Sequence, residues 1–257
     1  MNQLHDIACN ENVVFDNLIS LMDVTGKEIL EVGGYFPKDI ALEHGIKKWV
    51  SVDPQIADEV YEMQYVAFKG EILNFASKEE SFDIIFSSNA FQYISNFKQT
   101  MAYLYRLLKS DGKLFAHFGP IWSSPDGNNF ENLVLRNGQV INFWENNILP
   151  KWYHLLYSEC ELRKIIGKSF SPDDTNIIVN FLFHSTYINR LFFNDYLEIF
   201  RSTGFKIILI KAADLLDYEL NPPIESSLSD DEIKLQLIKM YGKDNYDCRD
   251  IMVLLGK

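Results

Sequence analysis

The chain has 257 residues, 47% of them hydrophobic, 23% charged and 14% aromatic, and carries a formal net charge of −12. That length buries a sizeable core in one large domain, or in a domain carrying an insertion, and the composition is that of a globular protein. The acidic balance repels nucleic-acid phosphates and anionic lipid headgroups, and no Lys/Arg run exceeds two residues, so a small acceptor is expected rather than DNA, RNA or a membrane surface.

Cys9, Cys160 and Cys248 are widely spaced and form no CxxC pair, so neither a disulfide framework nor a metal site is expected. The first residues, MNQLHDIACNENVVFDNL, show no basic stretch followed by an apolar one, and no apolar run approaches the length of a bilayer span. A cytoplasmic protein with reduced thiols is the expectation.

In chain order, Val14, Phe15, Leu18, Ile19 and Met22 recur at helical spacing over 12–22, and Gly26 follows. Ile29 to Val32 reads as a short buried strand ending at Gly33-Gly34. A helix over 38–44 is closed by Gly45, and Trp49 to Val52 makes a second strand ending at Asp53-Pro54. Residues 82–88 form another strand, and 97–109 a helix with Met101, Leu104, Tyr105 and Leu108 on one face. Ser110-Asp111-Gly112 is expected to end that helix before a strand over 113–118. Strands alternating with helices imply βαβ crossovers and a mostly parallel sheet.

Residues 119–184 show no clean period and are rich in Trp, Asn and Pro. They read as an inserted cap over the ligand edge, taken as 119–190 within one domain spanning 1–257. A helix over 194–203, a strand over 205–211, a polar loop from Asn221 to Asp230, a helix over 231–241 and a strand over 251–255 complete the chain.

The candidate site begins at Glu31-Val32-Gly33-Gly34. Glycines at a strand end let the backbone turn tightly and let a ligand approach the main chain. Asp53, twenty residues after Gly33 and at the end of the next strand, can accept hydrogen bonds from both hydroxyls of an adenosine ribose. Glycine turn plus acid is a nucleoside-binding signature. Either feature alone is equally an ordinary turn or a helix-capping acid.

These residues resemble the motifs of class I S-adenosylmethionine-dependent methyltransferases. Glu31 to Tyr35 is similar to the family's first motif, Asp53 to its ribose-binding acid, and Gly70-Glu71-Ile72 to the segment that holds the adenine. Residues 82–89, followed by Phe91-Gln92-Tyr93-Ile94, resemble the fourth motif, and 107–114 the lead into the fifth strand. The resemblance covers about 26–118 and 194–257. It implies a Rossmann-like, doubly wound, mostly parallel seven-stranded α/β sheet with the cap inserted after the fifth strand. It also implies S-adenosylmethionine as cofactor, held by Glu31, Gly33, Gly34, Tyr35, Asp53, Glu71, Ile72, Ser88 and Asn89. One departure is that Tyr35 and Pro37 stand where the motif's second and third glycines are common.

Gly119-Pro120-Ile121-Trp122-Ser123, continuing to Asp126-Gly127-Asn128-Asn129, resembles a segment of bacterial members that modify sugars and surface polysaccharides. It implies a carbohydrate hydroxyl as acceptor, contacted by Tyr93, Trp122, Ser123, Asn128, Asn129 and His184. Histidines common in that segment are replaced here by Asn128 and Asn129, and an asparagine cannot take a proton. His117, at the end of the fifth strand, and Asp126 are therefore the candidate bases, with His154 and His184 behind them. Trp144 and Trp152 read as packing residues, whereas Trp122 lies inside the motif and points to a pocket.

Three alternatives remain at this point. One is N-methylation of a small amine. Another is a catalytically silent S-adenosylmethionine-binding fold. The third is an NAD(P)-dependent dehydrogenase or epimerase, which the absence of G-x-G-x-x-G disfavours. An aromatic cap would serve equally as a homodimer surface.

Overall fold

The computed structural model describes residues 8–213 and 223–257. Residues 1–7, part of the stretch read for a targeting signal, and the start of the loop at Asn221–Pro222 lie outside it. The described chain divides into two compact units, one of 8–119, 195–213 and 250–257, the other of 120–194 and 223–249.

In the first unit, helix α1 (Glu11–Leu21) starts where the Asn10 side chain accepts from the Val13 amide at 3.2 Å, satisfying one of the orphan donors of a helix start. It buries Val14, Phe15 and Leu18. Phe15 meets Phe36, Trp49 and Phe86 at ring distances of 4.7, 5.9 and 6.0 Å. Strand β1 (Glu28–Val32) is followed by α2 (Lys38–Glu43), β2 (Lys48–Asp53), the two-residue β3 (Val60–Tyr61) and β4 (Tyr65–Lys69). β5 (Phe82–Ser88), α3 (Phe97–Leu107) and β6 (Leu108–Phe118) come next.

Helix α7 (Phe193–Ser202) leads to β9 (Lys206–Ala213), and β10 (Asp250–Gly256) ends the chain. The sheet runs β3-β4-β2-β1-β5-β6-β10-β9. β2, β4, β1, β5 and β6 are mutually parallel, and β10 is antiparallel to both β6 and β9. This is the expected Rossmann-like sheet, with β3 added as an eighth strand by an antiparallel pairing at the edge. Chain order reverses direction between β1 and β5, so the switch point falls at the carboxyl end of β1, where open α/β sheets bind ligands. β1, β5 and β10 are buried along nearly their whole length, as strands covered on both faces must be.

One boundary differs from expectation. α3 stops at Leu107 and β6 starts at once, with Ser110-Asp111-Gly112 inside the strand. The register with β5 jumps there, Phe82 pairing Leu108 and Ile84 pairing Lys113, and Asp111 takes φ 65°. The residues read as a helix stop instead make a bulge. It carries Lys109 to Glu28 at 2.7 Å and Asp83 at 2.9 Å.

Residues 119–184, expected to show no clean period, are largely irregular as far as Trp152 and helical beyond it. The second unit holds a hairpin of β7 (Leu133–Val134) and β8 (Val140–Ile141), then α4 (Tyr153–Leu156), α5 (Glu159–Ile166), α6 (Pro172–His184) and, after the return, α8 (Asp230–Tyr241). Reciprocal capping boxes, Ser158 with Glu161 and Ser229 with Glu232, open α5 and α8, and Ser171 with Pro172 opens α6. Trp152, Leu162, Ile166, Ile178, Val179, Leu182 and Leu237 share its core. No described helix is long and apolar enough to cross a membrane.

Candidate active site

The parallel strands place their carboxyl ends along one edge, and the expected cofactor residues follow them there. Gly33 ends β1 with φ +76°, and a Cβ at that position would stand 2.1 Å from the Ala90 Cβ. A Cβ on Gly34 would stand 2.4 Å from Glu31 Oε1 and 3.0 Å from Glu11 Oε1. Only glycine lets the turn run over these carboxyls. Tyr35, in the place of a further glycine, turns outward and is 51% exposed. Pro37 precedes α2, a position where a missing N–H costs nothing.

Glu31 is fully buried. Its Oε2 accepts from Trp49 Nε1 at 2.9 Å, from the Phe36 amide at 3.0 Å and from the Ser51 hydroxyl. Its Oε1 has no donor and faces the Glu11 carboxyl, so the two can share a hydrogen bond only when one holds a proton. Burial first, and Glu11 second, push Glu31 up to about 8, against the lowering effect of Ser51 and Phe36. Asp53, at the end of β2, is half-buried, with Oδ1 accepting from the Gln55 amide. Glu71 is exposed and Ile72 buried just after β4. Ser88 ends β5, donating to the Ala8 carbonyl at 3.3 Å, and Asn89 follows at φ 50°.

Gln92, within the 3-10 turn that contains Tyr93, donates to Asn89 Oδ1 and the Gly119 carbonyl, bracing this edge. The sequence shows it only as part of the run that resembles the fourth motif, because the bracing role of a buried glutamine has no local signature. Tyr93 itself is half-buried.

The residues present fit S-adenosylmethionine. A cofactor carrying a sulfonium and an ammonium suits the Glu31–Glu11 pair with its orphaned oxygen, and an accessible acid at the end of β2 suits its ribose. Among the described residues there is no cluster of His, Cys, Asp and Glu able to hold a metal.

His117 lies in β6, in register with Ser88 and Met252, and is fully buried. The motif after it belongs to the second unit. Asp126 is also fully buried; Arg249 Nε donates to it at 2.9 Å and Ser124 Oγ at 3.1 Å. This ion pair pins the loop. Ser123 Oγ accepts from the Phe193 amide, Asn128 joins Asn147 and the Phe130 amide, and Asn129 donates to the Pro120 and Gly127 carbonyls. A Cβ on Gly127 would sit 2.3 Å from the Trp122 carbonyl oxygen, so the motif's glycine is needed for the chain to fold back on itself. Trp122 is half-buried beside His154 and Arg190. His184 ends α6, 61% exposed and paired with Glu159 at 3.1 Å.

Residues 39–116 match the family model described as a methyltransferase domain. With this fold, that match supports an S-adenosylmethionine-dependent methyltransferase, with S-adenosylmethionine as its cofactor. The solved structures it is similar to are distant in sequence. An S-adenosylmethionine-dependent methyltransferase from Mesorhizobium loti is 14% identical, with a TM-score of 0.51, covering 95% of this chain and 97% of that one. A provisionally assigned S-adenosylmethionine-dependent methyltransferase from Listeria monocytogenes is 15% identical at a TM-score of 0.53, covering 95% and 97%. The [4+2]-cyclase SpnF is 10% identical at 0.50, covering 95% and 80%. No curated protein matches the sequence.

Proposed function

We propose that the chain O-methylates a sugar hydroxyl, carried by a free sugar, a nucleotide-sugar or a polysaccharide. The observation that carries the cofactor half is the strand edge on which the Gly33-Gly34 turn, the Glu31–Glu11 carboxyls and Asp53 stand together. S-adenosylmethionine, when bound, supplies a methyl on a sulfonium leaving group, open to in-line displacement. Asp53 accepts the ribose hydroxyls, Glu71 and Ile72 flank the base, Ser88 and Asn89 close the far side, and Glu31 with Glu11 meets the cationic end. Displacement of that kind depends chiefly on holding acceptor and methyl in line.

The acceptor half is supported by the Trp122–Asn129 segment, which resembles that of sugar-modifying enzymes, and by the aromatic and polar residues of the second unit. His117 remains the candidate base, since the Asp126 carboxylate is already bound to Arg249. A small amine is the second reading, favoured by the net charge of −12, which draws cations. Exposed Cys9 and Cys160 suit a reducing compartment.

Calorimetric titration tests the cofactor half. Saturable binding of S-adenosylmethionine, lost in Asp53→Ala and absent for NAD and NADP, is expected. Binding of a dinucleotide instead would refute it. Transfer of a labelled methyl to a sugar panel, run beside a panel of small amines, decides between oxygen and nitrogen.

A further inference from the structure

The carboxyl pair beneath the glycine turn has no cation to answer it. Glu31 Oε1 and Glu11 Oε1 converge on the same side of Gly34, where a Cβ would stand 2.4 Å from one and 3.0 Å from the other. Neither carboxyl forms an ion pair among the described residues. The loop after β1 and strand β2 give Glu31 only neutral donors, the Phe36 amide, the Trp49 ring N–H and the Ser51 hydroxyl, all on Oε2. Strand β5 sets Phe86 beside it. Tyr65 of β4 donates its hydroxyl to the Phe36 carbonyl at 2.7 Å and is held protonated chiefly by burial, against the lowering effect of Ser51. Tyr35 is half-exposed, 6.2 Å from the Tyr65 ring. Asp16 of α1 and Asp39 and Glu43 of α2 are exposed, Lys38 is paired with Glu62, and His44 packs on Phe15.

Two carboxyls this close, one of them fully buried and neither with a cation, do not both ionise. One proton is therefore held between them in the cofactor-free protein. Burial first, then Glu11, push Glu31 up to about 8, in keeping with that geometry.

We propose that the Glu31–Glu11 pair exchanges this proton for the ammonium of S-adenosylmethionine, an inference that rests on the cofactor reading above. The proton leaves to solvent as the cation binds, and both carboxylates remain. The exchange does not need a ligand atom to reach Glu31, which is closed off. Glu11, in the first turn of α1, is half-buried, and so is Gly34 beside it. A cation over the turn meets the Glu11 carboxylate and acts on Glu31 through its field. An opposite charge within about 4–6 Å favours an ionised carboxyl by about ten- to a thousandfold. Glu11 lies outside the motifs that resemble the family's, so α1 adds a recognition element of its own. A nucleoside without a charged amino group has nothing to exchange, and the pair therefore selects one that carries an amino acid.

The full chain is titrated calorimetrically at pH 7 with S-adenosylmethionine in phosphate, imidazole and Tris, whose ionisation enthalpies differ. The dependence of the observed heat on the buffer counts the protons released. About 0.4–0.9 of a proton per ligand is expected from a pair that titrates near 8 when empty and ten- to a thousandfold more acidic when filled. S-adenosylhomocysteine, which keeps the ammonium and lacks the sulfonium charge, should release as much. 5′-Methylthioadenosine, a thionucleoside without the amino acid, should release none. From pH 6 to 7, where the ligand's own amino group stays largely protonated, wild-type affinity for S-adenosylmethionine should rise by about two- to ninefold. Glu31→Gln should abolish both the release and the rise. The wild-type ligand series decides the matter even where the variant fails to fold. S-adenosylmethionine bound with no proton released, or 5′-methylthioadenosine releasing as much, overturns the exchange and leaves the cofactor reading standing. A chain that binds no S-adenosylmethionine overturns both.

Discussion

Replacing Glu31 by glutamine tests whether the carboxyl under the glycine turn is protonated in the folded, cofactor-free protein. The side chain is fully buried, with three donors on one oxygen and the Glu11 carboxyl facing the other. Burial, reinforced by Glu11, raises it from 4.5 to about 8. A carboxyl whose folded pKa is raised favours the native state most below its unfolded pKa. That advantage is lost as the pH rises from about 4.5 through 8, because the unfolded chain releases the proton first. At 1.36 kcal/mol per unit, the full shift amounts to about 5 kcal/mol lost by pH 9.

Glutamine keeps one acceptor oxygen for Trp49, Phe36 and Ser51 and presents an NH₂ to Glu11. At pH 5 the variant should therefore match the wild type within about 1 kcal/mol. It should then gain on the wild type as the pH rises, because it has no proton to lose. Urea unfolding at intervals from pH 5 to 9 measures this, and the difference between the two proteins cancels all other titrating groups. Glu11→Gln should move the midpoint of the wild-type decline to lower pH. Parallel stability curves for wild type and Glu31→Gln across the range would show that Glu31 is ionised throughout and would refute the reasoning.

His154 has the opposite sign. Its folded pKa is about 4, below the ordinary value near 6.5, so the native state is favoured above pH 6.5 and loses about 3 kcal/mol as the pH falls to 4; His154→Phe should abolish that acid-side decline in urea unfolding. Gly127→Ala should destabilise by about 3 kcal/mol, since its Cβ meets the Trp122 and Ile121 carbonyl oxygens at 2.3 and 2.4 Å; an unchanged thermal midpoint would show the loop to be looser than drawn. Arg249→Met leaves the fully buried Asp126 without its cation and should cost about 3–5 kcal/mol. The double variant with Asp126→Asn should recover much of that cost, which a double-mutant cycle reads directly.

Much of the first unit was legible because its signals are local. Apolar runs such as Ile29–Val32 and Phe82–Ser88 are buried strands, and the glycine pair and Asp53 fall at strand ends by simple counting along the chain. Residues 119–184 show no clean period, yet two helix starts within them carry plain signals: Ser158 with Glu161, and Ser171 with Pro172. The long aromatic and asparagine-rich connection before them carries no period of its own. Ser110-Asp111-Gly112 misled for a different reason. The same turn residues stop a helix or bulge a strand, and the choice was made by pairing with β5 across the sheet. The state of His154 had no local signature at all. It depends on the Trp122 carbonyl, thirty-two residues earlier, and on burial that only the packed unit supplies.

The division between the two units is also a division of information. The sheet edge is suited to a nucleoside cofactor through backbone turns and a few acids, and the fold that carries it is shared by proteins 10–15% identical in sequence. The [4+2]-cyclase SpnF has this fold as well, so the fold by itself sets no reaction and no acceptor. What discriminates must lie in side chains that the cofactor does not need. In this chain the motif residues Ser123, Asp126, Asn128 and Asn129 are spent on holding the 120–130 loop closed. They build a rigid wall more than they offer contacts. Buried polar atoms without a partner in this unit include His154 Nδ1, Asn129 Oδ1, Asn147 Nδ2 and Thr175 Oγ1. A specificity determinant must gain something from its ligand that water or the protein has not already provided.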